Sequence, residues 1–447
     1  MASGDSGLIG AGDLPFQKAQ TEQEFSASHL RLLRTRNFGV VWWGQLISQV
    51  GDGATKLALL WFVYSITGSP LKTTVIGMLQ TIPPIVFGPF IGVFVDRLPK
   101  KPLLIGTDLM RAVLIGLIPC WVATEAFTVE RLYVLVFLHA VATAIFGPAL
   151  TAAIPQLVKQ SQYTAANALL QSTTSLGVIL GPALSGAGIA ALSSKEVLCV
   201  NAATYLLSAF CFLAVHLPPL QSRTEDRSPA VTSAVGDLVE GFRFAAQPMM
   251  LLLIGTAAFY SFGTSAFSTL FPVFGRRMLD LGPIEVGYLW SALGVGLLLM
   301  SIGLVRLTEW DLSKRLHVIA TSSAISGVAL FVLSMSADRL SAAVCMVIVG
   351  GGMGVFTPIA WGIIQEVSPD RLVGRILTIY GTGAMTSAIA GMTIFGWITQ
   401  HFGERASVIG IGLMLCVTAA VATGFSRWMR RLHSGRDRLE LGHSIFS

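Results

Sequence analysis

Four polar residues interrupt one apolar stretch near the start of the chain: Gln45, Gln49, Asp52 and Lys56. They are spaced four, three and four apart. At about 100° per residue they fall within about a 60° arc of a helix. Such a helix is polar along one stripe and apolar elsewhere, with Asp52 near its midpoint. A charge at the centre of a bilayer costs at least about 2.5–3.5 kcal/mol unless it meets a partner or a water-filled cavity. The stripe is therefore expected to line an interior. Asp52 and Lys56 stand at i, i+4 and are within pairing reach. Two chemistries fit: a reversible proton or substrate site, or a static ion pair that orients helices. A second pair, Asp108 and Arg111, stands at i, i+3 in another apolar stretch.

Further polar and aromatic residues lie within apolar stretches. Asn167, Gln171 and Thr174 make one stripe, and Tyr260, Thr264, Phe267 and Phe271 make a mixed aromatic one. Gln80, His139, Thr357, Trp361 and Tyr380 stand alone in mid-stretch or near it. Each fits packing as well as it fits a pocket. Together they suggest a cavity for a large amphiphile. The second half has no mid-stretch charge, since Glu366 falls at the end of its stretch.

The elements that must position these residues are set by composition. Of 447 residues, 53% are hydrophobic and only 12% charged. Soluble domains carry about 25% charged residues, so this chain cannot cover itself as a water-soluble globule. Mean hydropathy is +0.69. A spanning helix needs about 20 mostly apolar residues. Twelve such segments are expected, near 39–66, 73–95, 103–124, 131–155, 165–191, 196–216, 248–275, 284–306, 316–335, 339–365, 372–400 and 405–427. The 46 glycines suit close helix packing in lipid. The five cysteines sit singly in apolar stretches and read as small hydrophobes. No metal or cofactor is expected. The chain has no GxxxxGK[ST] for ATP, and no HExxH or GxSxG, so it is not expected to be an enzyme.

Charge placement gives a topology. With both ends cytoplasmic, 21 of the Lys and Arg residues fall in cytoplasmic segments and 7 outside, which the positive-inside rule favours. That bias accounts for the net charge of +6 without nucleic acid. The polar first 36 residues have no long apolar core, so no cleaved signal is expected. The loop region after Gly92, VFVDRLPKKPLLI, is matched after Gly303 by LVRLTEWDLSKRLHVI, an offset of 211 residues. Two six-helix halves follow. The expected organisation is a cytoplasmic tail (1–36), a bundle (37–216), a cytoplasmic linker with an interfacial helix (217–247), a second bundle (248–430) and a cytoplasmic tail (431–447).

The run GVFVDRLPKK, residues 92–101, closely resembles the loop between helices 2 and 3 of the major facilitator superfamily. Residues 177–186, with Gly177, Gly181, Pro182 and Gly186, look like the antiporter motif of its drug exporters, with Ser185 replacing one glycine. GQLISQVGDGAT, GTDLMRAVL, FGPALTAAIPQLV and QEVSPDRLVGRI resemble the branch of macrolide efflux proteins and enterobactin-type siderophore exporters. The resemblance spans about residues 30–430. It implies an all-α fold of twelve transmembrane helices in two pseudo-symmetric bundles. It also implies a monomeric secondary exporter in the cell membrane, moving an amphiphilic small molecule in exchange for protons. By the same analogy Gly92, Asp96, Arg97, Lys101, Asp108 and Arg111 form a gating network that holds the outward-open state. One departure matters. Many drug antiporters carry an Arg in helix 4, where this chain offers only His139, and Arg111 is expected to stand in. Facilitated diffusion or import, with Asp52 and Lys56 as a substrate site, and a transport-dead receptor or scaffold are the alternatives.

Overall fold

A computed structural model describes residues 32–122, 124, 127–218, 240, 242–304, 311–336, 338–369 and 372–445. Twelve long helices follow one another: α1 (Arg36–Thr67), α2 (Pro70–Arg97), α3 (Lys100–Val122), α4 (Val129–Leu157), α5 (Tyr163–Ala191), α6 (Ser194–Ala214), α7 (Pro248–Met278), α8 (Pro283–Leu304), α9 (Leu312–Met335), α10 (Arg339–Val367), α11 (Val373–Phe402) and α12 (Glu404–Ile445). Every expected span is a helix. The last continues beyond its expected end, into the segment read as a tail. Most of the expected tail 1–36 and linker 217–247 lies outside the described residues, as do Lys18, Arg31, Arg223, Arg227, Arg306 and Arg371.

Among the described residues, nine helices are long and apolar enough to cross a membrane. α2 is a tenth if its two segments, bent by 68° between Gly88 and Phe90, count as one span. α1 and α11 complete the twelve. Their lengths suffice, and their polar faces lower the average.

Local chemistry sets the boundaries. α1 stops at Gly68, whose φ of 61° is the left-handed conformation that glycine adopts without strain. α2 restarts at once, with the Ser69 hydroxyl accepting from Lys72 N at 3.3 Å and Pro70 in the first turn. Asp338 caps α10 by accepting from Ser341 N at 2.7 Å, which holds its carboxyl below the usual carboxylate range.

The packing repeats with the sequence. α1 lies on α5 and α6, α3 on α4 and α6, and α2 on α4. Six helices later α7 lies on α11 and α12, α9 on α10 and α12, and α8 on α10. The bundles meet through α5 against α8 and α2 against α11, which are also symmetry mates.

An even number of crossings puts both chain ends on one face, called here the terminal face. The interbundle contacts gather at the far face. Arg277 donates to Tyr64 Oη at 2.6 Å and to Gly68 O at 2.9 Å. Ser69 donates to Gln400 Oε1 at 2.9 Å. One hydrophobic core runs continuously from Leu57–Val63 of α1 into Phe271 and Phe274 of α7. Towards the terminal face the first bundle keeps separate cores, around Phe146 and around Phe38. The molecule is closed at the far face and parted at the terminal face.

Candidate functional site

Asp52 lies midway along α1, and its partners come from other helices. Arg111 Nη1 of α3 is 3.7 Å from Asp52 Oδ2, and Tyr205 Oη of α6 donates to Asp52 Oδ1. Arg111 also pairs with Asp108 on its own helix. The guanidinium sits 3.9 Å from the Phe146 ring centroid and 4.4 Å from that of Tyr205. His139 Nε2 of α4 lies 2.9 Å from Tyr205 Oη. Four helices thus converge on one charge cluster. Its exposure is uneven: the side chains of Asp108 and Arg111 are 0% and 1% exposed, that of Asp52 23%. Two carboxylates face one guanidinium, so one proton makes the cluster neutral. Asp52 is the carboxylate that a proton from solution can reach. Asp108 Oδ2, Arg111 Nε, Gln45 Oε1 and Asn201 Nδ2 have no hydrogen-bond partner among the described residues. A partly satisfied buried network has other pairings within reach.

The expected Asp52–Lys56 pair is absent from the ion pairs of the described residues. Lys56 is exposed, and its Nζ stands 5.8 Å from the Trp290 ring of α8. The i, i+4 spacing permitted the pair, but Arg111 and Tyr205 approach Asp52 from across the bundle. The stripe therefore divides. Gln45 is buried and donates to Ser208 Oγ of α6 at 3.0 Å, Gln49 is half-buried, and Lys56 turns to the other bundle.

The glycines of α5 work on two sides. A methyl on Gly181 would come within 2.7 Å of Gly53 Cα, so α5 and α1 touch backbone to backbone. One turn on, a methyl on Gly186 would lie 3.1 Å from Gly287 Cα of α8. The motif is a wedge between the helix that carries Asp52 and the opposite bundle. Ser185, the departure from the motif, is fully buried.

The loop after α2 makes no such gating network in this state, with the terminal face parted. Asp96 and Arg97 are exposed, and neither side chain has a hydrogen bond or ion pair among the described residues. A methyl on Gly88 or Gly92 would meet nothing within 4 Å. Lys101 donates to Leu213 O and Val215 O at 3.0 and 2.8 Å, and Lys100 donates to Val95 O at 2.5 Å. These ammonium groups cap helix C-terminal ends, where carbonyls lack partners. Asp108 and Arg111 join Asp52, not Asp96 and Arg97. The physical reason is the parting of the bundles at the terminal face, which leaves the loop nothing to grip.

Several cavity candidates fall elsewhere. Tyr260 is buried and stacked on Phe356 at 3.9 Å, within the second bundle's core. Phe267 and Phe271 pack there with Trp290, and Tyr380 is buried in the same core. Trp361 and Gln171 are exposed, and Gln80 is half-buried. Tyr205, Asn201 and Ser208 were missed. Their spacing of four and three on one helix was a legible stripe.

A family model described as Major Facilitator Superfamily matches residues 41–392. The chain is 23% identical over 386 residues to Macrolide efflux protein A of Streptococcus pyogenes, covering 85% of this chain and 94% of that protein. It is 26% identical over 391 residues to Multidrug efflux pump Tap of Mycolicibacterium fortuitum, covering 86% and 94%. Among solved structures it resembles the nucleoside transporter NupG (TM-score 0.69, 11% identity, 89% of this chain and 98% of that one). It also resembles a bacterial homolog of the human lysosomal transporter Spinster in an inward-facing, unoccupied conformation (TM-score 0.67, 13% identity, 88% and 98%). The fold and the matched span make this chain a membrane transporter of the Major Facilitator Superfamily.

Proposed function

We propose that this transporter exports amphiphilic small molecules, of the macrolide or multidrug kind named for its relatives, in exchange for protons. The observation that carries the reading is the cluster around Asp52. It is buried charge in the middle of the membrane, tied to three other helices, with one carboxylate open to the parted space. Charge is retained in lipid where it binds ions or protons. Alternating access then exposes that carboxylate to one side at a time. A cationic substrate near Asp52 and a proton on Asp52 oppose each other, which is the linkage that exchange requires.

The first bundle, 37–216, carries the coupling site, and the second, 248–430, faces it across the cavity. The terminal face is cytoplasmic by the Lys and Arg bias, so the state described above is inward-open. The loop at Asp96 and Arg97 re-forms its contacts when the bundles close there. The protein works as a monomer in the cell membrane, with substrate and protons as its partners.

The test is efflux of erythromycin from proteoliposomes against an imposed pH gradient. Asp52→Asn is expected to stop accumulation against a gradient and to leave downhill passage intact. Wild-type accumulation by Asp52→Asn would remove Asp52 from the coupling role. A second reading, uptake of an anionic solute, draws on Lys56, the exposed cation beside Trp290. An anion there recruits a proton to Asp52 instead of expelling one, so the sign of the pH response separates the two readings.

A further inference from the structure

We infer that Asp52, Tyr205 and His139 form a proton relay with two stations, Asp52 at the cavity and His139 inside the first bundle. This rests on the reading of Asp52 as the proton-coupling carboxylate. Tyr205 Oη has one proton and donates it to Asp52. His139 Nε2 lies 2.9 Å from the same oxygen, which can then only accept. His139 must therefore be protonated at Nε2 while Asp52 is charged. When Asp52 is protonated the order reverses: its O–H donates to Tyr205, and Tyr205 donates to His139 Nε2, which must be bare.

Passing between the orders moves one proton. Starting from an imidazolium and a carboxylate, the Nε2–H bond of His139 breaks as an O–H bond forms on Tyr205. The original Tyr205 O–H breaks as one forms on Asp52. The products are a neutral imidazole, an intact phenol and a carboxylic acid, so atoms and charge balance with no external reagent. Arg111 faces the same tyrosine ring and repels a positive imidazolium, which makes His139 a transit station and Asp52 the resting one. The other charged or titratable groups around the relay are Asp108 of α3 and, one turn away on α1, Lys56. α6 contributes Asn201, Ser208 and Tyr205 itself. His139 and Tyr205 are buried within the bundle, so this part of the relay does not cross the space that a substrate fills.

The test needs no transported substrate. Nitrogen-15 spectra of the full chain in lipid nanodiscs report which ring nitrogen of His139 carries the proton, and the Asp52 side-chain carbon reports its charge. As Asp52 is titrated, the His139 proton is expected to move from Nε2 to Nδ1 in step. Tyr205→Phe, which keeps the ring but not the hydroxyl, should leave Asp52 titrating and His139 unresponsive. His139→Gln keeps a hydrogen bond to Tyr205 but cannot pass a proton on. Asp52 also faces the cavity, so it should still titrate in this variant. The relay is overturned if His139 keeps one tautomer while Asp52 titrates, or if the tautomer still follows Asp52 in Tyr205→Phe. Neither result touches the coupling role of Asp52, which the proteoliposome assay decides separately.

Discussion

The two bundles share a packing scheme and differ in what they bury. The first encloses Asp108, Arg111 and His139 beside the half-open Asp52. The buried polar residues of the second are threonines and serines, with no charged side chain among the described residues. Its centre is aromatic: Tyr260 on Phe356, Phe267 against Phe271 and Phe274, and Phe271 against Trp290. A duplicated scaffold has kept its contacts while its interiors diverged. One half buries titratable groups in its interior. The other buries an aromatic body.

The comparison breaks most severely at Arg111. Arg111→Met leaves Asp108 buried without its cation. Removing one partner of a buried pair costs about 3–5 kcal/mol, so thermal unfolding in detergent should fall steeply. The double variant with Asp108→Asn should recover most of the loss. Equal melting of wild type and Arg111→Met would mean that the cluster is not a buried ion network.

Gly287 tests the contact between the bundles. Gly287→Leu puts a side chain where Gly186 Cα would be 3.0 Å from the new Cβ. The variant should fold, because neither bundle's own core is touched, but should disfavour closure at the far face. Reversing a two-state preference from 99:1 to 1:99 takes about 5.5 kcal/mol. Spin-label distances between the far ends of α2 and α11 should lengthen, and transport should fall. An unchanged distance distribution would show that α5 and α8 have room to spare.

The smallest effect belongs to the second bundle. Tyr260 Oη is buried without a hydrogen-bond partner among the described residues. Removing an unsatisfied buried hydroxyl is neutral or mildly stabilising, within about 1 kcal/mol. Tyr260→Phe should melt and transport as wild type does, whereas Tyr205→Phe should not. A large defect in Tyr260→Phe would place working chemistry in the second bundle and weaken the contrast.

The sequence made the fold more legible than the site. Long apolar runs allow one local structure in lipid, so all twelve helices were readable, as was the repeat at 211 residues. Asp52 and the Asp108–Arg111 pair were readable too, because charge in an apolar run needs a reason. Their joining was not. Spacing on one helix proposed Lys56 as the partner of Asp52, whereas the partners come from α3 and α6. Tyr260 and Phe267 looked like a pocket wall because an aromatic stripe has the same period on a cavity face as in a core. Only neighbouring helices distinguish the two.

The meeting of Gly186 with Gly287 also bears on the speed of the cycle. Interlocked side chains must leave one rotamer and find another before two surfaces part. At this contact bare backbone rests on bare backbone, and there is nothing to disengage. The surfaces can roll apart as a smooth bearing does. The barrier to opening should therefore arise elsewhere on that face, in the polar contacts of Arg277 with Tyr64 and Gly68 and in the core that α1 shares with α7, and the opening rate should rise when either is loosened.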